Sequence, residues 1–390
     1  MVGAYATDRH DPGGNVKTKA AILWGLHQPW SVEEIELDPP KAGEVLVKMA
    51  ASGMCHSDEH LVTGDMMGAT PDPPLIGGHE GAGVVMEVGP GVFSLAPGDH
   101  VVFGFIPACG RCPSCAQGHS NLCDLGAVVT SGFQVTDGTA RHHARGQDLK
   151  LGIGGLGTFA HHTVVNEASA IKIDPTLPLD RACLLGCGVV TGWGSAVYAA
   201  QVRPGETVAV VGAGGIGANA IQGAKHAGAR VVAAIDPVEF KRKKATDFGA
   251  THTHASMDEA LAALPETTWN RGFDKVIMTI GVGSGDVLGQ AFWLAGKRGK
   301  IVVTNIHPTA ETSIAIPAAF LTFFEKQIIG SLFGSANTRH DIPFLLELFT
   351  QGQLDLDGLV TRTYPLEGIN DGYEDMRDGK NIRGVLVYDH

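Results

Sequence analysis

Four of the chain's seven cysteines fall within the fifteen-residue segment CGRCPSCAQGHSNLC, at Cys109, Cys112, Cys115 and Cys123. Thiols crowded in this way either pair as disulfides or share a metal. Seven cysteines in 390 residues is an odd and sparse count, which fits a reducing cytoplasm and favours metal. Four thiolates spaced C-x2-C-x2-C-x7-C suit a closed, tetrahedral, structural zinc. An iron–sulfur cluster stays open, because C-x2-C-x2-C also occurs in ferredoxin-type sites.

A second set of ligand types is scattered. Cys55 stands in GMCHSDEH, His79 and Glu80 in GGHEGAG, and Cys187 in GCGVVTGWGSA. Two cysteines and a histidine from distant points can converge on zinc with an open fourth position, the arrangement that catalytic zinc needs. Singly each residue is unremarkable; Cys183 reads as a small buried hydrophobe.

A third motif is the glycine turn. Gly212, Gly214 and Gly217 form G-x-G-x-x-G directly after TVAVV, and Asp236 follows nineteen residues beyond Gly217 at the end of the next apolar run. The first glycine permits the turn. The second lets backbone N–H groups approach a pyrophosphate at the helix N-terminus, and the third lets helix and strand pack closely. An acid at Asp236 can hold a ribose hydroxyl and would repel a 2′-phosphate, so NAD is expected over NADP. Lys241 and Arg242, on the next turn, either flank the adenosine or form a solvated helix face.

These motifs need elements to position them. The first ~190 residues read as short, glycine-punctuated strands, with EVLVKMAAS alternating like a half-buried strand. From Thr191 apolar runs alternate with helical patterns, as a parallel sheet covered on both faces requires. The expected architecture is α/β. A β-rich catalytic domain is built from 18–188 and 333–390, a doubly wound dinucleotide-binding domain from 189–332, and residues 1–17 form a flexible tail. A net charge of −12 argues against nucleic acid or an anionic membrane as partner. No apolar run reaches about 18 residues, so no membrane span is expected.

Taken in order, GHEGAG, the four-cysteine lobe, GCG-x2-TG-x-GSA and the dinucleotide turn resemble the zinc-containing medium-chain alcohol dehydrogenases, over roughly residues 18–388. ASGMCHSDEHLVTGD, FIPACGRCPSC, ACLLGCGVVTGWGSAV and DGKNIRGV sharpen the likeness to actinobacterial nitrosoaniline-dependent, or nicotinoprotein, members. The resemblance implies a GroES-like catalytic domain beside a Rossmann domain, two zinc ions per subunit, and hydride transfer between a primary alcohol or aldehyde and NAD(H). It also implies tightly retained NAD(H), an external electron acceptor and a cytoplasmic homo-oligomer, dimer or tetramer.

Residue by residue, the resemblance makes Cys55, His79 and Cys187 catalytic zinc ligands, with Glu80 behind the metal. Asp58 orients the zinc histidine. Ser57 and His60 form a proton relay through the ribose. His56 and Arg383 contact pyrophosphate and Thr191 lies against the nicotinamide. Gly215, Ile216, Lys241, Ser331 and Phe333 complete the cofactor site, and Met66, Phe105 and His142 line the substrate pocket.

Departures leave alternatives in play. Thiol-dependent formaldehyde dehydrogenases also resemble the chain, but Ala127 stands where the glutathione-using members carry an arginine. A non-catalytic NAD-binding protein would show a damaged ligand set, and Cys55, His79, Cys187, Ser57 and His60 are all intact. The pairs His142/His143 and His161/His162 depart from relatives and read as pocket or surface substitutions. Ala144–Gly157 reads as a mobile loop, a lid or an interface segment.

Overall fold

The computed structural model describes residues 14–389. Most of the expected N-terminal tail therefore lies outside the described residues; its last two, Val16 and Lys17, already belong to the first strand, Val16–Leu23.

The second half of the chain forms a six-stranded parallel sheet. Its central strands, Thr207–Val211 and Val231–Ile235, are buried at every position. Strands covered on both faces have no polar side to show, which is why TVAVV and VVAAI are uninterrupted apolar runs. The helix Gly215–His226 follows the glycine turn. A Cβ on Gly217 would run into the Gly212 carbonyl oxygen, and one on Gly192 into that of Ile216. Glycine at these two positions lets the helix sit down on its own turn and the helix Gly188–Gly194 pack across it.

The first half and the last two strands, Val360–Tyr364 and Arg383–Val387, share a seven-stranded sheet. Its central strand, Glu44–Met54, pairs with Glu80–Val88, His162–Asn166 and the C-terminal Arg383–Val387. Arg141, wholly buried, forks onto Glu44 through Nε–Oε2 at 2.8 Å and Nη2–Oε1 at 2.7 Å. That pair ties this sheet to a small closed barrel made by Val16–Leu23, Ser31–Leu37, His142–Ala144, Gln147–Leu151 and Leu75–Ile76.

The barrel corrects one expectation. Ala144–Gly157 is not a free loop, because Gln147–Leu151 is a barrel strand paired with both His142–Ala144 and Leu75–Ile76. Leu149 and Leu151 point inward between Asp148 and Lys150. This period-2 signal was short and was masked by the surrounding glycines.

His142 sits on a barrel strand with no exposed surface, and among the described residues its ring meets the Thr163 hydroxyl at 3.3 Å. Burial, aided by the charges of His143 and Arg141, lowers its pKa to about 3. The unfolded chain protonates this residue near pH 6.5, whereas the folded chain does not. Stability is therefore lost as pH falls below about 6.5, by up to about 1.4 kcal/mol per pH unit from this group. His142→Leu, which leaves Thr163 donating to the Leu156 carbonyl, removes that slope. Denaturant titrations at pH 7 and pH 5 should show the parent losing about 2 kcal/mol more than the variant. Equal losses would mean that the ring protonates in place.

Candidate active site

Cys55 caps the N-terminus of the helix His56–Thr63, His79 precedes the strand Glu80–Val88, and Cys187 precedes the helix Gly188–Gly194. These three element ends meet. One donor atom from each of Cys55, His79, Glu80 and Cys187 lies within 4.8 Å of the others, and all four residues are buried.

Both faces of the imidazole are accounted for. Asp58 Oδ2 lies 3.0 Å from His79 Nδ1 as an ion pair. Asp58 Oδ1 is fixed in turn by the Gly78 N–H at 3.0 Å. His79 Nε2 is buried with no hydrogen-bond partner among the described residues. Burying a bare imidazole nitrogen is costly, and a metal ion between it and two thiolates removes that cost. A second carboxylate-bound nitrogen is the arrangement that metal-binding histidines require.

The electrostatics agree with a cation site. The Cys187 thiol holds Cys55 well below the ordinary thiol range, against burial and with help from His79. Cys187 is pushed well up by the same contact and by burial. Burial disfavours a charged His79, yet Asp58 and Cys55 outweigh it and raise its pKa.

Glu80 is anchored behind the cluster. Its Oε1 accepts from the Gly188 N–H at 2.9 Å and its Oε2 pairs with Arg383. Burial raises its pKa to about 7 against the pull of Arg383. Arg383 also lies against the first turn of the dinucleotide helix, where a Cβ on Gly215 would strike its side chain, and its buried Nε has no hydrogen-bond partner among the described residues. One guanidinium thus bridges the metal cluster and the glycine turn. Glu80 and Arg383 are 303 positions apart, so no local pattern marks this link.

The turn itself is shaped for a diphosphate. Gly212 has φ 97°, and a Cβ on Gly214 would meet nothing within 4 Å. The backbone at Gly214 faces open space at the helix N-terminus, as anion binding needs, with Arg383 against Gly215 beside it. Asp236 accepts from Ala213 N and Val238 N, both at 2.9 Å, so it also braces the turn. Arg242 donates to the Asp236 and Pro237 carbonyls, while Lys241 is half-buried beside it. Thr191 is buried with its hydroxyl 3.9 Å from Cys187 Sγ. Ser331 meets Ser335 at 3.1 Å.

The relay candidates lie on the helix that starts at the metal. Ser57 Oγ is 3.5 Å from Cys55 Sγ. The His56 and His60 rings meet edge to face with centroids 5.3 Å apart, and His56 also approaches Gly281 at the rim of the parallel sheet. Burial lowers the His56 pKa.

Of the pocket candidates, the structure brings Phe105 to the cluster and not His142. The Phe105 ring lies edge-on to His79 at 5.8 Å and tilted on Phe333 at 4.3 Å. His142 is in the barrel, as above, and Met66 is half-buried in the turn after the relay helix. Sequence reasoning missed the segment that seats Phe105. Gly154 has φ 71°, and a Cβ there would strike the backbone of Phe105. Gly155 has φ 64° but meets only Val129 at 3.4 Å, an ordinary contact. Gly154→Ala should therefore shift the KM for alcohols by roughly tenfold with zinc content unchanged, because Phe105 must move. Gly155→Ala, with similar backbone strain, should leave KM unaltered. Matched KM values for the two variants would free Phe105 from this dependence.

The four-cysteine lobe closes as a second site. Cys109–Cys115 and Cys112–Cys123 sulfurs are each 3.9 Å apart, and all seven cysteines of the chain are free. A tetrahedron with metal–sulfur bonds of about 2.3 Å has edges of about 3.8 Å. The lobe therefore has the size of a single tetrahedral ion, and not of a cluster of several irons. Cys112 is lowered to about 6 by backbone N–H groups of Asp124 and Cys115, while burial raises Cys115 to about 12.

The family description "Alcohol dehydrogenase GroES-like domain" matches residues 41–175 and "Zinc-binding dehydrogenase" matches residues 215–351. Alcohol dehydrogenase B of Mycobacterium tuberculosis is 52% identical over 373 residues, covering 96% of this chain and 99% of that one. The NDMA-dependent alcohol dehydrogenase of Amycolatopsis methanolica is 50% identical over 373 residues, with 96% and 99% covered. Among solved structures, benzyl alcohol dehydrogenase from Acinetobacter calcoaceticus superposes with TM-score 0.88 at 28% identity, covering 96% of this chain and 100% of that one.

Proposed function

The chain belongs to the zinc-binding, GroES-like alcohol dehydrogenase family, and on that premise we propose how its residues divide the oxidation of an alcohol with two zinc ions and NAD. When bound, zinc lowers the pKa of a hydroxyl and the nicotinamide takes up hydride. The remaining work falls to the chain. Cys55, His79 and Cys187 hold the catalytic metal, and Asp58 fixes the imidazole for it. Ser57, next to the metal, accepts the proton of the substrate hydroxyl, and His60 passes it outward. Phe105 and Phe333 wall the site and keep water from the reacting carbon. Arg383 and the turn at Gly212–Gly217 seat the pyrophosphate. Asp236 meets the ribose and selects NAD.

The observation that carries this reading is the bare, buried Nε2 of His79 facing two cysteine sulfurs. The 50% identity to an NDMA-dependent enzyme supports retained NAD(H) with an external acceptor. The edge strand Gln327–Gly330, paired on one side alone among the described residues, and the exposed Trp293, Phe320 and Phe323 support a homo-oligomer. The test is metal and nucleotide analysis of the purified protein, followed by alcohol oxidation with an artificial acceptor and no added NAD. Two zinc ions and released nucleotide per chain, with turnover, are expected. One zinc ion or none would overturn the metal assignment. Turnover that needs added NAD in stoichiometric amounts would overturn retention.

A further inference from the structure

His60 is buried, with 2% of its side chain exposed, so its ring does not itself open onto solvent. Its Nδ1 meets the carboxylate of Asp65, at 3.0 Å from Oδ2. The contact arises from the end of the helix. Gly64 adopts φ 80° and donates its N–H back to the His60 carbonyl, which curls Asp65 onto the ring one turn earlier. Thr63 Oγ1 donates to the same Oδ2 at 2.6 Å. The Asp65 side chain is 36% exposed, and its carboxyl is held below the ordinary range by the Thr63 hydroxyl and then by His60. It is therefore a fixed anionic acceptor between a buried imidazole and water.

A neutral imidazole carries one proton. A carboxylate at Nδ1 accepts a hydrogen bond and places that proton on Nδ1, which leaves Nε2 as the basic nitrogen.

We propose that Asp65 is the positioning residue of the proton relay, holding His60 in the Nδ1–H tautomer so that Nε2 receives the proton leaving the alcohol. The balance is simple. Nε2 gains the proton released by the substrate hydroxyl by way of Ser57. The imidazolium, steadied by Asp65, then loses its Nδ1 proton to water at the exposed carboxylate, which leaves the ring as Nε2–H; proton exchange with water, gain at Nδ1 and loss at Nε2, restores the starting tautomer for the next turnover. No electrons move in this step. The inference rests on the reading of Ser57 and His60 as the relay.

The test uses Asp65→Ala, a change at a partly exposed position, with Asp65→Glu beside it. In the parent, the imidazole 15N spectrum of His60 at a pH where the ring is neutral should show Nδ1 protonated. In Asp65→Ala it should shift to the Nε2–H form that imidazole prefers in water. Alcohol turnover should fall roughly tenfold to a hundredfold, with zinc and nucleotide content unchanged. Asp65→Glu, or added imidazole buffer, should restore part of it. An Nε2–H ring in the parent, or Asp65→Ala turnover equal to the parent, would overturn the proposal. Ser57→Ala and His60→Gln separate the two readings. If both slow turnover and Asp65→Ala does not, only the role of Asp65 falls. If neither slows it, the relay itself falls.

Discussion

Cys187→Ala is expected to lower zinc from two ions per chain to one and to cut alcohol turnover by about four decades or more. The size follows from the job removed. Polarisation of a hydroxyl by a metal contributes several kcal/mol, and each 1.36 kcal/mol is about tenfold in rate. Three protein ligands are the minimum for this kind of site, so losing one thiolate leaves a pair too weak to retain the ion. Glu80 is near enough to suggest a substitute ligand. It is not free to act as one, because Arg383 and the Gly188 N–H hold its two oxygens. The fold should survive, since Cys187 sits at a helix start and alanine fills most of its volume. Metal analysis with steady-state kinetics checks the result. A variant that kept both ions and turned over within tenfold of the parent would remove Cys187 from the metal.

What could be read in the sequence was whatever chemistry constrains locally. A tetrahedron of thiolates needs four cysteines close together in a lobe, and a pyrophosphate needs glycine where backbone must approach it. Cys109–Cys123 and Gly212–Gly217 therefore announce themselves as spacings. Cys55, His79 and Cys187 do not: their residue types allowed a shared zinc, and the resemblance to a family made them its ligands before the element ends were seen to meet. Pairings set by tertiary approach left no local mark. Arg383 reaches Glu80 from the last strand, and Gly154 braces Phe105 from a hairpin that looked like a loop. Asp65 reaches His60 only because Gly64 takes a left-handed turn. His142 misled for a related reason. The resemblance put it among the residues lining the pocket, yet Leu149 and Leu151 draw its strand into the barrel, where its ring is buried.

Cys115→Ser should release the second zinc and lower the thermal midpoint by roughly 10 °C, the scale expected when a structural metal is lost. The lobe has little else to hold it. Its regular structure is the four-residue helix Pro113–Ala116 and the three-residue turn Ser120–Leu122, too short to persist alone. Its apolar burial is slight, with Leu122 exposed. The bonds that leave it are few but well placed. Asn121 Nδ2 donates to the Leu332 carbonyl at 3.0 Å, Ser120 Oγ meets Asn337 at 3.0 Å, and the Thr338 N–H donates to Ser120 Oγ at 3.1 Å. Leu332 adjoins Phe333, whose ring lies on Phe105. Melting the lobe should therefore loosen the aromatic wall without touching Cys55, His79 or Cys187. The variant should keep one zinc ion and a measurable turnover, with a raised KM for alcohol and new protease cleavage between residues 109 and 123. Calorimetry, metal analysis and limited proteolysis report these separately. Loss of the catalytic zinc in place of the lobe zinc, or an unchanged midpoint, would show that the lobe stands without its metal.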